Sequence, residues 1–142
     1  MRFFLKDPHE ITDPVARNLC FLQIRQTIIS GDVPVSEEDA IELASLYLQT
    51  VIGDYDKKKE KKSGFLSNDL HNYVPFYLID FHGSSWWERK IAKAHSTLKG
   101  LDIATVQQRY MRIASTMPNY GISYYNAIVR TFILNMFLLQ IR

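Results

Sequence analysis

The most concentrated chemical feature of the sequence is a run of positive charge between positions 57 and 62. Five of these six residues are lysines: Lys57, Lys58, Lys59, Lys61 and Lys62. Near an anionic membrane each lysine contributes about 1 kcal/mol of attraction, so the run predicts a weak site for anionic lipid. The alternative is a loop that charge merely keeps soluble, and Glu60 and the nearby aspartates favour it because they dilute the positive field.

The histidines and the cysteine lack the setting that metal binding or nucleophilic catalysis needs. The four histidines are His9, His71, His82 and His95. They lie far apart in the sequence, so none forms a metal-binding pair at helical spacing with a third ligand nearby. Cys20 lies in an apolar stretch, which predicts core packing rather than a nucleophilic role.

The carboxylates and the short motifs likewise give no sign of an active site. Asp32, Asp54 and Asp56 lack the ligand spacing and central glycine of a calcium loop and are typical of turns. The sequence contains no phosphate-binding loop, dinucleotide fingerprint, serine-hydrolase elbow or zinc-protease motif. We therefore expect no catalytic residue, no metal and no cofactor.

Aromatic residues supply candidate protein-docking positions. Trp86 and Trp87 open a predicted helix, where at least one ring is expected in the core and Trp86 is the candidate for docking. Phe132 and Phe137 belong to an apolar C-terminal stretch that needs a surface to cover it. These three side chains are the predicted protein-docking residues.

Composition limits the class of protein. The chain has 142 residues, of which 46% are hydrophobic and 23% charged, with a net charge of +2. This is about one domain's length, with enough apolar material for a packed core. The small net charge disfavours a nucleic-acid partner. One cysteine, no signal peptide and no apolar run of about 20 residues predict a cytoplasmic protein without a membrane span.

Four helices are predicted to position these residues, each between a capping residue and a glycine or proline. They lie between Asp13 and Gly31, between Ser36 and Gly53, between Ser84 or Ser85 and Gly100, and between Asp102 and Pro118. Residues 54–63 are predicted to be a solvated loop and residues 64–82 to form short helical turns. In the first helix, the residues expected to face the core are Val15, Leu19, Leu22 and the run Gln26–Ile29.

Several motifs occur in this chain in the order and spacing of the central helical lobe of a FERM domain, which it resembles. The first group comprises the apolar helix Phe21–Gly31, the linker residue Pro34, L-A-x-x-x-x-Q from Leu43 to Gln49, and Gly53-Asp54-Tyr55. The second group comprises Tyr73-Val74-Pro75, W-E-x-x-I from Trp87 to Ile91, Gln108–Ala114 and Tyr120-Gly121-Ile122. Ezrin, radixin, moesin, merlin and talin belong to this family. The closing motif is similar both to the merlin type and to FERM scaffold proteins of cell polarity.

The resemblance implies an all-α, acyl-CoA-binding-protein-like lobe of about four main helices, with a short extended N-terminal segment and an apolar C-terminal tail. It implies a non-enzymatic adaptor that links membrane proteins or the membrane surface to cortical actin at the cytoplasmic side of the plasma membrane. Expected partners are other FERM lobes or a FERM-containing protein, and cytoskeletal or membrane-receptor tails. The alternative is an acyl-CoA or lipid carrier with a cleft lined by Tyr47, Tyr73 and Trp87.

The resemblance also divides the chain. Residues 1–13 resemble the end of a ubiquitin-like lobe and its linker, residues 14–122 the central helical lobe, and residues 123–142 a linker and divergent apolar tail. The flanking lobes of a complete FERM domain are not recognisable in the sequence, so we expect a chain truncated on both sides relative to that domain. Phosphoinositide binding, which the family places largely in those lobes, is not carried over to any residue here.

Overall fold

Helices form the whole framework of the part of the chain that the structure, a computed structural model, describes: residues 7–60, 62, 64–118 and 120. In chain order they are α1 (Pro14–Ile29), α2 (Glu37–Ile52), α3 (Lys57–Glu60), α4 (Phe76–Ile79), α5 (Ser84–Ser96) and α6 (Ile103–Ser115), with short 3-10 turns at Pro8–Glu10 and Leu70–Asn72. No β-strand occurs within the described residues. The predicted all-α class is confirmed, and α1, α2, α5 and α6 are the four main helices. The predicted extended N-terminal segment and apolar tail lie outside the described residues.

Three of the main helices begin at the side-chain caps that the sequence predicts. The side chains of Asp13, Ser36 and Asp102 each accept a hydrogen bond from the backbone N–H three residues later, at 2.8, 3.1 and 3.0 Å. Each cap satisfies one of the N–H groups that have no partner inside the helix. The starts of α1, α2 and α6 are therefore fixed by local chemistry.

The predicted serine cap of α5 is wrong. Ser84 is already the first helical residue, and the cap position belongs to Gly83, which has no side chain. The Gly83 carbonyl accepts hydrogen bonds from the N–H groups of Trp86 and Trp87 at 3.0 and 3.3 Å. The fully buried Trp87 ring packs in the core, so tertiary packing rather than a capping side chain fixes the beginning of α5.

Helix α2 lies at the centre of the fold. It packs against both α5 and α6, and α6 packs in turn against α1. Its buried residues are Ala40, Leu43, Ala44, Ser45, Leu46, Leu48 and Gln49. The small residues Ala40, Ala44 and Ser45 leave room for close approach of neighbouring helices, as the sequence predicts for a buried helix.

The predicted buried face of α1 is wrong in the first half of the helix and right at Ile28. The side chains of Val15, Leu19 and Leu22 are 68%, 63% and 42% exposed. The residues of α1 that are buried are Phe21, Ile24 and Ile28, and of these only Ile28 belongs to the predicted set. Both sets follow helical three-and-four spacing, so periodicity alone does not distinguish them. The Phe21 ring decides the orientation because it packs edge-on against the Tyr110 ring of α6, with centroids 5.0 Å apart.

The orientation of α1 predicts which of its apolar side chains contribute to the stability of the fold. Ile24→Ala removes a core side chain and is expected to lower the free energy of unfolding by about 2–5 kcal/mol. Leu19→Ala, on the exposed side of the same helix, should change it by less than about 0.5 kcal/mol. Chemical denaturation of both variants measures the difference, and equal losses would contradict the orientation of α1.

Candidate functional site

The lysine-rich residues 57–62, called the lysine segment below, are partly helical. Lys57–Glu60 form α3, so the prediction that all of residues 54–63 are a solvated loop is wrong at these positions. The Asp56 carboxylate caps this turn by accepting a hydrogen bond from the Lys58 N–H at 2.9 Å. Of the predicted lipid-binding lysines, Lys57, Lys58, Lys59 and Lys62 are exposed, and Lys61 lies outside the described residues.

Glu60 points away from the lysines and into the protein. Its side chain is fully buried, and its two carboxylate oxygens lie 2.8 and 3.0 Å from Nδ1 of His95, which is also fully buried. The expectation that Glu60 dilutes the charge of the lysine surface is therefore wrong, because its carboxylate is paired in the interior. Removing one member of a buried pair leaves an uncompensated polar group, at a cost of about 3–5 kcal/mol.

The other side of the His95 ring faces two oxygen atoms. Nε2 lies 2.8 Å from the Gln49 side-chain oxygen and 2.8 Å from the Gly53 carbonyl. The Gln49 amide is oriented by its own NH2 group, which donates to Asp54 at 2.9 Å and to the Leu101 carbonyl at 3.3 Å. Both ring nitrogens of His95 thus lie within hydrogen-bond distance of oxygen atoms, so the polar atoms of this buried ring are satisfied inside the protein.

Gly53 has a special backbone role in this network. Its φ of +76° is favourable only for glycine, and this geometry ends α2. The same turn brings the Gly53 carbonyl to His95 and places Tyr55 edge-on to the imidazole, with ring centroids 6.0 Å apart. The residues from Gln49 to Tyr55 that carry the FERM-like motif therefore surround one buried histidine.

Asp54 extends the network to the loop before α6. Its carboxylate accepts hydrogen bonds from the Gly100 backbone N–H at 2.8 Å and from Gln49 at 2.9 Å. These two bonds, the Gly100 bond first, hold the pKa of Asp54 below its ordinary value. The Asp102 pKa is also lowered, because its carboxylate is hydrogen-bonded to Thr105.

A second buried carboxylate, on α5, holds the chain that follows the lysine segment. Glu88 is 4% exposed and accepts hydrogen bonds from the backbone N–H groups of Gly64 at 2.9 Å and Leu66 at 3.2 Å. Glu88 and His95 are seven residues apart and therefore lie on the same side of α5. The lysine segment is consequently tied to α5 on both sides, by Glu60 to His95 and by Glu88 to the following turn.

The contact between Glu60 and His95 is not predicted from the sequence, where His95 is a candidate only for metal binding and Glu60 only for surface charge. Two signals were available: Gln49 interrupts the apolar stripe of α2, and His95 follows Trp87 and Ile91 on the inward side of α5. Neither signal identifies Glu60 as the partner, because the contact joins residues 35 positions apart.

The two tryptophans have different environments. Trp87 is fully buried and its indole N–H donates to the Ile79 carbonyl at 3.2 Å, which confirms that at least one ring belongs to the core. Trp86 is partly exposed, with its ring stacked on His82 at 3.6 Å between centroids. Its docking role stays a prediction, and the other two docking candidates, Phe132 and Phe137, lie outside the described residues.

The predicted acyl-chain cleft is not assembled from its three aromatic residues. Tyr47 and Tyr73 are in contact, with ring centroids 5.3 Å apart, and the Arg25 guanidinium lies 3.9 Å from the Tyr47 ring centroid. Trp87 is fully buried, so it cannot line an open cleft with them. Its placement in that cleft is therefore wrong.

The remaining candidate residues form no reactive centre. Cys20 is half-buried against the core, and this burial raises the pKa of its thiol. Within the described ranges no three His, Cys, Asp or Glu side chains come together in a way that could hold a metal ion. The helices described here include none with the length and hydropathy of a bilayer-spanning segment.

The chain is similar in sequence to a protein family and to several known proteins. The family model of the FERM central domain matches residues 6–125. Human tyrosine-protein phosphatase non-receptor type 4 is 35% identical over 127 residues, covering 89% of this chain and 13% of that protein. Talin-1 of Gallus gallus is 33% identical over 125 residues, covering 87% of this chain and 5% of that protein. The chain thus spans a small part of these relatives.

A solved structure is similar to this one along most of the chain. It is the complex of the FERM and C-terminal domains of Drosophila Merlin, with a TM-score of 0.73 and 26% sequence identity. The similarity covers 84% of this chain and 39% of that chain. The helical fold of this chain is therefore similar to that of part of the Merlin chain.

The hydrogen bonds to Asp54 predict a contribution to acid stability. Because folding lowers its pKa, Asp54 adds stability that is fully present above its unfolded value of 3.8 and is lost as the pH falls through the lower folded value. Asp54→Asn should reduce this loss. The test is urea denaturation across the acid range, with the exposed residue Asp80→Asn as the control. Identical pH profiles for the Asp54 variant and the wild type would contradict the prediction.

Proposed function

Because the chain belongs to the FERM central-domain family, we propose that it is a non-enzymatic interaction module that links membrane proteins or the membrane surface to the cortical actin cytoskeleton. The observation that carries the proposal is the family match over residues 6–125, together with the Merlin FERM structure of similar fold. Within this proposal, residues 14–122 are the central lobe, residues 1–13 the end of a preceding lobe and its linker, and residues 123–142 a linker and divergent tail.

The chemistry of the described residues supports binding rather than catalysis. The grouping that most resembles a catalytic constellation, His95 with Glu60 and Gln49, is buried and its hydrogen bonds are made within the protein. A substrate has no access to such a group. The phosphatase activity named for one relative concerns a protein of which this chain matches 13%, so it is not proposed here.

The proposed partners follow from the family. They are other FERM lobes or a FERM-containing protein, and the cytoplasmic tails of membrane receptors or cytoskeletal proteins. The corresponding location is the cytoplasmic cell cortex, peripheral to the plasma membrane. No cofactor and no nucleic-acid partner is part of the proposal.

The lysine segment supports a weak additional contact with anionic membranes. Lys57, Lys58 and Lys59 lie exposed on α3, and the carboxylate between them and Lys62 is turned inward by its pair with His95. The segment therefore presents cations without the partial neutralisation that an exposed Glu60 would cause. Surface attraction of this kind weakens as salt is added.

This proposal predicts the behaviour of a variant in which all five lysines of the segment are replaced by glutamine. Sedimentation with vesicles containing phosphatidylserine should weaken by well over tenfold, because five lysines at about 1 kcal/mol each contribute up to about 5 kcal/mol. A fluorescently labelled wild-type chain should be enriched at the cell cortex, and the variant should be less enriched. Arg109→Gln, an exposed change elsewhere, is the control.

Cortical enrichment and vesicle sedimentation test different parts of the proposal. A wild-type chain spread evenly through the cytoplasm would contradict the cortical interaction module. Cortical enrichment and vesicle sedimentation that are both unchanged in the five-lysine variant would contradict only the role of the lysine segment.

A further inference from the structure

A second basic surface lies on α5, on a different side from the lysine segment. A groove of about 360 Å³ is lined by Trp86, Arg89, Lys90 and Lys93. These residues occupy helical positions i, i+3, i+4 and i+7, so their side chains share one face of α5. Glu88 and His95, which hold the lysine segment and its following turn, lie on the opposite side of the same helix.

The aromatic wall of this groove is held in place before any partner arrives. The Trp86 ring is stacked on His82 with centroids 3.6 Å apart and an angle of 15°, and it meets the Trp87 ring edge-on at 4.9 Å. His82 is itself fixed by Glu37 of α2, with Nε2 and the carboxylate oxygen 3.0 Å apart. A fixed aromatic surface loses little conformational freedom on binding.

The three cations of the groove, Arg89, Lys90 and Lys93, form no ion pair with any carboxylate of the described residues. Glu88, the acidic residue within α5, is turned inward to the backbone of Gly64 and Leu66. The Lys90 ammonium lies 5.5 Å from the centroid of the Trp86 ring, so one cation and the aromatic wall border the same space.

We propose that this groove, defined by Trp86, Arg89, Lys90 and Lys93, binds an acidic peptide segment of a partner protein. The inference rests on the proposed interaction module and names the chemistry of one partner. Peptide carboxylates match the three cations, with Arg89 able to form paired hydrogen bonds to a carboxylate. An apolar or aromatic peptide side chain packs against Trp86.

The position of the Trp86 ring favours a peptide over a membrane. The three cations border the same shallow groove as this ring. Trp86 is partly buried and packed between His82 and Trp87, so it does not project as a side chain that inserts into lipid. A groove with a fixed aromatic wall and basic edges suits an extended chain with acidic side chains.

The test uses the full chain and a terminally blocked, fluorescently labelled peptide with two glutamates on each side of a phenylalanine. Binding is measured by fluorescence anisotropy, and the matched peptide carries glutamines in place of the glutamates. The double variant Arg89→Gln and Lys93→Gln should bind the acidic peptide about tenfold more weakly, since it loses charge-assisted hydrogen bonds. The control variant, Lys57→Gln with Lys58→Gln, should bind it within about twofold of the wild type.

The outcomes decide between the alternatives. Equal binding of the acidic peptide by the wild type and the Arg89/Lys93 variant would overturn the proposal, as would equal binding of the acidic and glutamine peptides. Loss of phosphatidylserine vesicle binding in the same variant, without any binding of the acidic peptide, would overturn it in favour of a lipid surface. Thermal unfolding of each variant verifies its fold, because all the substituted residues are exposed. None of these results depends on the cortical enrichment that tests the proposed function.

Discussion

The buried contact between His95 and Glu60 is the interaction on which the rest of this lobe depends. Removing two ionisable groups from water costs several kcal/mol for each ion unless their hydrogen bonds are replaced. The structure replaces them on every side: Glu60 faces Nδ1, while Gln49 and the Gly53 carbonyl face Nε2. The end of α2, the middle of α5 and the start of the lysine segment are therefore held in one arrangement.

Because His95 is held by Glu60 on the inward side of α5, the two sides of this helix have different roles. Its inward side carries Glu88 and His95, which fix the lysine segment and the turn that follows it. Its outward side carries Trp86 and the basic residues of the groove. Helix α5 thus presents the basic groove and holds the lysine segment of α3 in place. In our proposals the two cationic surfaces meet different acidic partners, a lipid surface at the lysine segment and a peptide at the groove.

Local chemistry made much of the fold predictable from sequence. The caps at Asp13, Ser36 and Asp102 depend on residues three positions apart, and the stripe of α2 depends on a single clear periodicity. The FERM resemblance was likewise readable because its motifs are short and ordered. The family match over residues 6–125 confirms it.

The features that were predicted wrongly or not at all depend mostly on contacts between distant parts of the chain. Helix α1 has apolar residues on two sides, and only the packing of Phe21 on Tyr110 shows which side is buried. The Glu60–His95 contact joins a charged segment to a helix 35 residues away, so composition favoured a solvated loop. The basic groove was missed because its cations are separated along α5 by the buried residues Ile91 and Ala92.

The most direct test of the Glu60–His95 contact is a double-mutant cycle on the free energy of unfolding, using Glu60→Ala, His95→Ala and the double variant. Residues in direct contact couple by about 0.5–3 kcal/mol. Each single substitution is expected to destabilise the protein, and the double variant is expected to lose clearly less than the sum of the two, because each single change leaves the other group without its partner. Additive losses, equal to that sum within about 0.3 kcal/mol, would contradict the claim that this pair holds the lysine segment to the helical core.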